Sequence, residues 1–101
     1  MKKVIDGKMY NTETAKEIAD WDNGYNGSDF RCCSETLYRK KNREFFLYGD
    51  GGAMSKYSES YGNDTVGSSD ITALSIDEVK DWLQEKQCID AYEKLFGVIP
   101  E

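Results

Sequence analysis

Apolar positions along the chain fall into short runs separated by polar and glycine-containing breaks, and the period of each run predicts an element. Val4-Ile5 and Met9-Tyr10 are joined through Asp6-Gly7, a pair that accepts the positive φ angles of a type I′ turn, so residues 4–10 read as a hairpin. Asn11, Thr12 and Thr14 offer capping oxygens, and Ala15, Ile18, Ala19 and Trp21 follow at three-and-four spacing. That spacing predicts an N-terminal helix of about ten residues ending at Trp21. Residues 22–29 string together Asp, Asn, Gly and Ser, which is loop chemistry. Residues 30–40 and 44–48, rich in Thr, Leu, Tyr and Phe, flank the polar tip Lys41-Asn42-Arg43 and form the hairpin expected at the centre of the sheet.

Strand side chains alternate between faces, so Phe45 and Leu47 must lie on one side of that hairpin and Phe46 and Tyr48 on the other. One aromatic face packs on helices; the second is either covered by the following loop or offered to a partner. Residues 49–69 show no clear period and read as a long loop with a short helical turn around 54–60, a candidate contact region. A short final strand is expected at 71–74. Ser75-Ile76-Asp77-Glu78 then spells a capping box, with Leu74 and Val79 placed as its hydrophobic staple. Ile76, Val79, Trp82 and Leu83 form the apolar stripe of the helix that follows, and Ile89, Tyr92, Leu95 and Phe96 that of a last helix ended by Gly97 and Pro100. The expected architecture is α+β: a small antiparallel sheet of two hairpins plus a short strand, packed against an N-terminal helix and two C-terminal helices.

A chain of 101 residues with 39% apolar positions supports one core and one domain, 1–101. Its net charge of −6 is unevenly spread. Residues 1–57 hold ten Lys/Arg against nine Asp/Glu, whereas 58–101 hold three against ten. An acidic C-terminal half disfavours direct binding to nucleic acid or anionic lipid and favours a basic protein surface. No apolar run is long enough for a membrane span or a signal peptide, and three cysteines, two of them adjacent at Cys32 and Cys33, do not make a disulfide framework, so a cytoplasmic setting is expected.

The chain has no histidine, which removes the Ser-His-Asp and Cys-His schemes, imidazole zinc sites and the usual general base near neutral pH. Gly49-Asp50-Gly51-Gly52-Ala53-Met54-Ser55-Lys56 lacks the spacing of a phosphate loop, and Asp20, Asp22 and Asp29 lack that of a calcium loop. A non-enzyme without cofactor or metal is the expectation. Two surfaces remain for a partner. The acidic helix residues Asp77, Glu78, Asp81, Glu85, Asp90 and Glu93 could imitate nucleic-acid phosphates before a cationic groove. The central hairpin groups Arg39, Lys40, Lys41 and Arg43 with the rings of Tyr38, Phe46 and Tyr48, a combination that could also grip a single strand of nucleic acid.

Glu35-Thr36-Leu37-Tyr38-Arg39-Lys40-Lys41, followed by Glu44-Phe45-Phe46-Leu47-Tyr48-Gly49-Asp50-Gly51-Gly52, resembles a family of small hypothetical proteins of phages and integrative elements of Gram-positive bacteria. The resemblance extends to Gly7-Lys8-Met9-Tyr10-Asn11-Thr12 and Tyr92-Glu93-Lys94-Leu95-Phe96-Gly97; where relatives turn the hairpin with Thr-Gly, this chain has Asn42-Arg43. It implies a mobile-element context and, by analogy with small acidic anti-CRISPR proteins, a non-catalytic inhibitor of a bacterial defence complex whose partner is a host CRISPR-Cas effector. Two other readings stand beside it: a regulatory or adaptor protein of the element, and a single-strand nucleic-acid module working through the hairpin tip.

Overall fold

The computed structural model describes residues 1–100, over which the chain forms β1 (Lys2–Ile5), β2 (Lys8–Asn11), β3 (Lys16–Asp22), β4 (Cys33–Arg39), β5 (Phe45–Gly51), β6 (Glu59–Tyr61), β7 (Asp64–Val66), β8 (Ser68–Leu74), α1 (Ile76–Glu85) and α2 (Ile89–Phe96). The main sheet is antiparallel in the order β3-β4-β5-β8. Both helices pack on one face of it and the β1–β2 hairpin on the other. The α+β class is as expected from the sequence.

Alternation along β5 divides the core. Phe45 and Leu47 join Leu37, Val79, Trp82 and Leu83 beneath the helices, while Phe46 joins Tyr10 and Ile71 beneath the hairpin. The second aromatic face is therefore covered, but by β1–β2 and not by the segment after β5. Asp6 (φ 51°) and Gly7 (φ 77°) make the positive-φ turn of that hairpin. Lys3 Nζ to Asp70 (2.6 Å) and Lys8 Nζ to Glu44 (3.0 Å) tie it to the sheet.

Three expectations are corrected. The first hairpin is not part of the main sheet: β1 and β2 form a two-stranded sheet of their own, laid on its face. No N-terminal helix forms, since the segment assigned to it is the edge strand β3. A register shift between Glu17 and Ala19 inserts a bulge, so Ile18 and Ala19 are both half-buried and Trp21 follows in alternation. All three pack on the helix-side core. A bulge that lets neighbouring residues face inward reproduces three-and-four spacing without a helix. Asn11, expected to cap that helix, instead closes a turn, its side chain accepting from Glu13 N (2.9 Å) and its carbonyl from Ala15 N (3.2 Å).

The segment 49–69 is also more ordered than its composition suggests, and it has no helical turn at 54–60. β5 continues through Gly51, β8 starts at Ser68 and pairs with β5 along its whole length, and between them β6 and β7 form a two-stranded ribbon turned at Gly62-Asn63. Every residue of that ribbon is exposed, so no apolar alternation marks it.

The capping box of α1 is present: Glu78 N donates to Ser75 Oγ (3.2 Å) and Ser75 N to Glu78 Oε1 (3.0 Å). Leu74 packs on the cluster that contains Val79, as the staple requires. Gly97 ends α2.

One polar group lies inside the helix-side core. The Glu35 carboxylate on β4 is fully buried and receives donors from three separate segments. Trp82 Nε1 on α1 donates to Oε1 (3.1 Å), Tyr57 OH to Oε2, Lys56 Nζ lies 2.7 Å from Oε2, and Lys86 Nζ, just past α1, lies 3.6 Å from Oε1. Lys86 Nζ also sits 3.6 Å over the Trp21 ring of β3. Glu35 pairs across the ladder with Gly49, where a Cβ would overlap the Tyr57 ring; the missing side chain leaves the slot that ring occupies. Burial alone would raise the Glu35 carboxyl, but the Lys56, Tyr57 and Trp82 donors outweigh it and hold the group below its ordinary 4.5. Burial and the neighbouring carboxylate push the Tyr57 hydroxyl well above its ordinary value.

A carboxyl depressed on folding contributes stability that is full above its unfolded value and is lost as pH falls through the folded one. Glu35→Gln should therefore lose up to about 3 kcal/mol at neutral pH, the low end for a broken buried pair because Lys56 can turn to solvent. Below pH 4.5 the variant should lose less further stability than the wild type. Asp29 and Glu44, each held at about 2 by ion pairs, titrate in both proteins and cancel in the comparison. Urea unfolding at a series of pH values checks this; parallel curves would show that the carboxylate carries no pH dependence.

Candidate binding surfaces

The six helix carboxylates Asp77, Glu78, Asp81, Glu85, Asp90 and Glu93 are all exposed. Val79, Trp82 and Leu83 anchor the other side of α1 in the core, so Asp77, Asp81 and Glu85, spaced by four, form one rigid outer line. Glu78 is committed to the cap, whose Ser75 donors lower its carboxyl, and Glu85 pairs with Lys86 at 3.3 Å. Asp77, Asp81, Asp90 and Glu93 have no cation within 4.0 Å among the described residues. Asp77, Glu78 and Asp90 also occupy helix first turns, where the dipole favours an acid. The dipole gives no reason for Asp81, Glu85 or Glu93.

The basic hairpin does not stay together as one surface. Tyr38, Phe46 and Tyr48 face β1–β2: the Tyr38 and Phe46 rings stack at 5.2 Å, Tyr10 meets Phe46 edge-on at 5.6 Å, and Phe46 has no exposed surface. Of these rings only Tyr48 and Tyr38 keep partial exposure, so a base-stacking platform at the tip is not what the rings build. Lys40 is engaged, with Nζ 3.3 Å from Glu44 and 4.3 Å over the Tyr10 ring. Arg39, Lys41 and Arg43 remain without a carboxylate partner among the described residues. Lys16, which the sequence placed on a helix, joins them, because β3 sets it directly across from Arg39.

These four cations, with Lys40, line a groove of about 600 Å³ between the β4–β5 tip and the end of α2, with Phe45, Ile76, Leu95 and Phe96 as its apolar wall and, among the described residues, no carboxylate in the lining. The tip itself is a three-residue turn: Arg43 N donates to Lys40 O (2.9 Å), Lys40 N to Glu44 O (2.7 Å), and Arg43 holds φ at 72°. A turn of this type followed by a left-handed residue usually takes glycine at that last position.

The other motifs are absorbed locally. In the glycine-rich segment, Gly52 N donates to Cys32 O (3.0 Å), Met54 N to Phe30 O (2.7 Å) and Ser55 N to Gly52 O (3.0 Å), so these amides close the strand exit. Asp29 forms a two-point pair with Arg31, and Asp22 accepts from Gly24 N at 2.8 Å. All three cysteines are free thiols, and burial raises Cys33 and Cys88 above the ordinary thiol value. No helix among the described residues is long and apolar enough to cross a membrane. No protein-family model, curated protein or solved structure matches the chain.

Since Phe46 fills the hairpin-side core, Phe46→Ala should cost about 3–5 kcal/mol of stability, as aromatic truncation in a core does. A urea midpoint close to wild type would show that the ring is not the core element its burial implies.

Proposed function

We propose that the chain is a non-catalytic binding protein of the anti-CRISPR kind, which inhibits a bacterial defence complex by setting the carboxylate line of α1 and α2 on a cationic, nucleic-acid-reading surface. The observation that carries this reading is the rigid display of exposed acids, Asp77, Asp81 and Glu85, on a helix whose opposite side is locked in the core. A fixed array loses little conformational freedom on docking, and its charge speeds encounter with a basic groove. The sequence resemblance to phage and integrative-element proteins supplies the setting, the cytoplasm of a bacterial host. The absence of histidine supports binding over catalysis.

The rival readings have less support. An adaptor working through the sheet aromatics would need rings that lie under the β1–β2 hairpin, and a single-strand binder would need the same rings for stacking.

With purified CRISPR effector complexes as bait, the wild type should be captured with an affinity that falls steeply as salt rises. The triple variant Asp77→Lys/Asp81→Lys/Glu85→Lys should bind at least about tenfold more weakly while keeping its helical circular dichroism. Failure to bind any effector tested, or undiminished affinity of the triple variant, would remove this reading.

A further inference from the structure

Two local rules are broken at the groove beside the β4–β5 tip, and both breaches bring a cation to it. Lys16 and Arg39 are direct cross-strand partners, a like-charge pairing that weakens a ladder. Arg43 occupies a left-handed position at φ 72°, where a residue with a Cβ is strained and glycine would be at ease. Neither cation pair nor strained arginine is relieved by a carboxylate among the described residues, since none of these lines the groove and the nearby Glu44 is occupied by Lys8, Lys40 and Asn42. Strain and repulsion that converge on one cleft point to a ligand that relieves them.

We infer that this groove binds a small ligand carrying adjacent phosphates, of nucleotide size. Four cations with no carboxylate partner among the described residues, Lys16, Arg39, Lys41 and Arg43, match the charge of a triphosphate, and the two guanidiniums suit phosphate oxygens geometrically. The volume of about 600 Å³ is that of a small-molecule site, and the half-buried Phe96 on its wall offers an apolar seat for a ring. Size is decided by the rest of the molecule. At a net charge of −6 with an acidic C-terminal half, the protein repels a long polyanion more than a short one. The site is separate from the acidic helix line, so it stands or falls independently of the function proposed above.

Isothermal titration calorimetry on the full chain at low salt, with ATP, inorganic tripolyphosphate and adenosine as probes, tests the assignment. ATP and tripolyphosphate should bind and adenosine should not, and Lys16→Gln and Arg39→Gln should each weaken ATP by roughly tenfold. Arg43→Gly should weaken ATP similarly yet raise the unfolding temperature, a pair of opposite shifts that a merely structural arginine would not produce. Asp64→Asn, in the exposed β6–β7 ribbon away from the groove lining, should leave ATP binding intact. No binding of ATP or tripolyphosphate at millimolar concentration would overturn the proposal. So would unchanged affinity in the Lys16 and Arg39 variants, a lowered unfolding temperature for Arg43→Gly, or tighter binding of a single-stranded oligonucleotide or an acidic peptide than of ATP.

Discussion

A single buried carboxylate sets the terms for the helix-side half of this molecule. Glu35 stands in the middle of β4 with no access to solvent, and an ionised group there is tolerable only when its oxygens are filled with donors. The donors come from the 56–57 turn, from α1 and from the residue just after α1. Each of those segments is thereby positioned by the same two oxygens. The requirement propagates: the Tyr57 ring needs the space that Gly49 leaves, and Lys86, drawn toward Glu35, lies over Trp21 and so couples the edge strand β3 to the end of the helix.

What was legible in the sequence was whatever depended on near neighbours. The Asp6-Gly7 turn, the alternation of Phe45 to Tyr48 and the Ser75 to Glu78 box are each decided within four residues, and each stands in the structure as the pattern implies. The Glu35 network was not legible. Its hydrogen-bond donors Tyr57 and Trp82 lie 22 and 47 residues away, with Lys56 and Lys86 beside them, and a lone Glu among strand formers reads as an outward-facing side chain. β3 was misread for a different reason: the bulge after Glu17 puts Ile18 and Ala19 on the buried side together, and a period of two with one residue inserted is numerically close to a helical face. The β6–β7 ribbon buries nothing and so has no periodicity to read.

The strand geometry of β3 also decides which cations meet at the candidate surface. As a helix, 15–21 would have carried Lys16 away from the hairpin tip; as a strand in register with β4, it delivers Lys16 opposite Arg39. Of the residues grouped at the tip from sequence, Arg39, Lys40, Lys41 and Arg43 line the groove, whereas the rings grouped with them point through the sheet to the opposite side. Strict alternation carried that information already: Tyr38, Phe46 and Tyr48 lie in register on one face, while Arg39 and Phe45 lie in register on the other.

The contrast between the two charged surfaces is a contrast in how they are accommodated. Half of the acids on the helices sit where a helix favours them, in first turns, so their presence asks for little explanation beyond helix chemistry. The cations of the groove have no such support. A like-charge cross-strand pair and an arginine in a glycine position each oppose the local structure that holds them, whereas the Asp6-Gly7 turn and the capping box of α1 agree with their local preferences. Gln87 also holds a left-handed φ of 56°, but just past a helix, where that conformation commonly ends it; the two oppositions at cations open onto the same cleft, where a bound phosphate would relieve both.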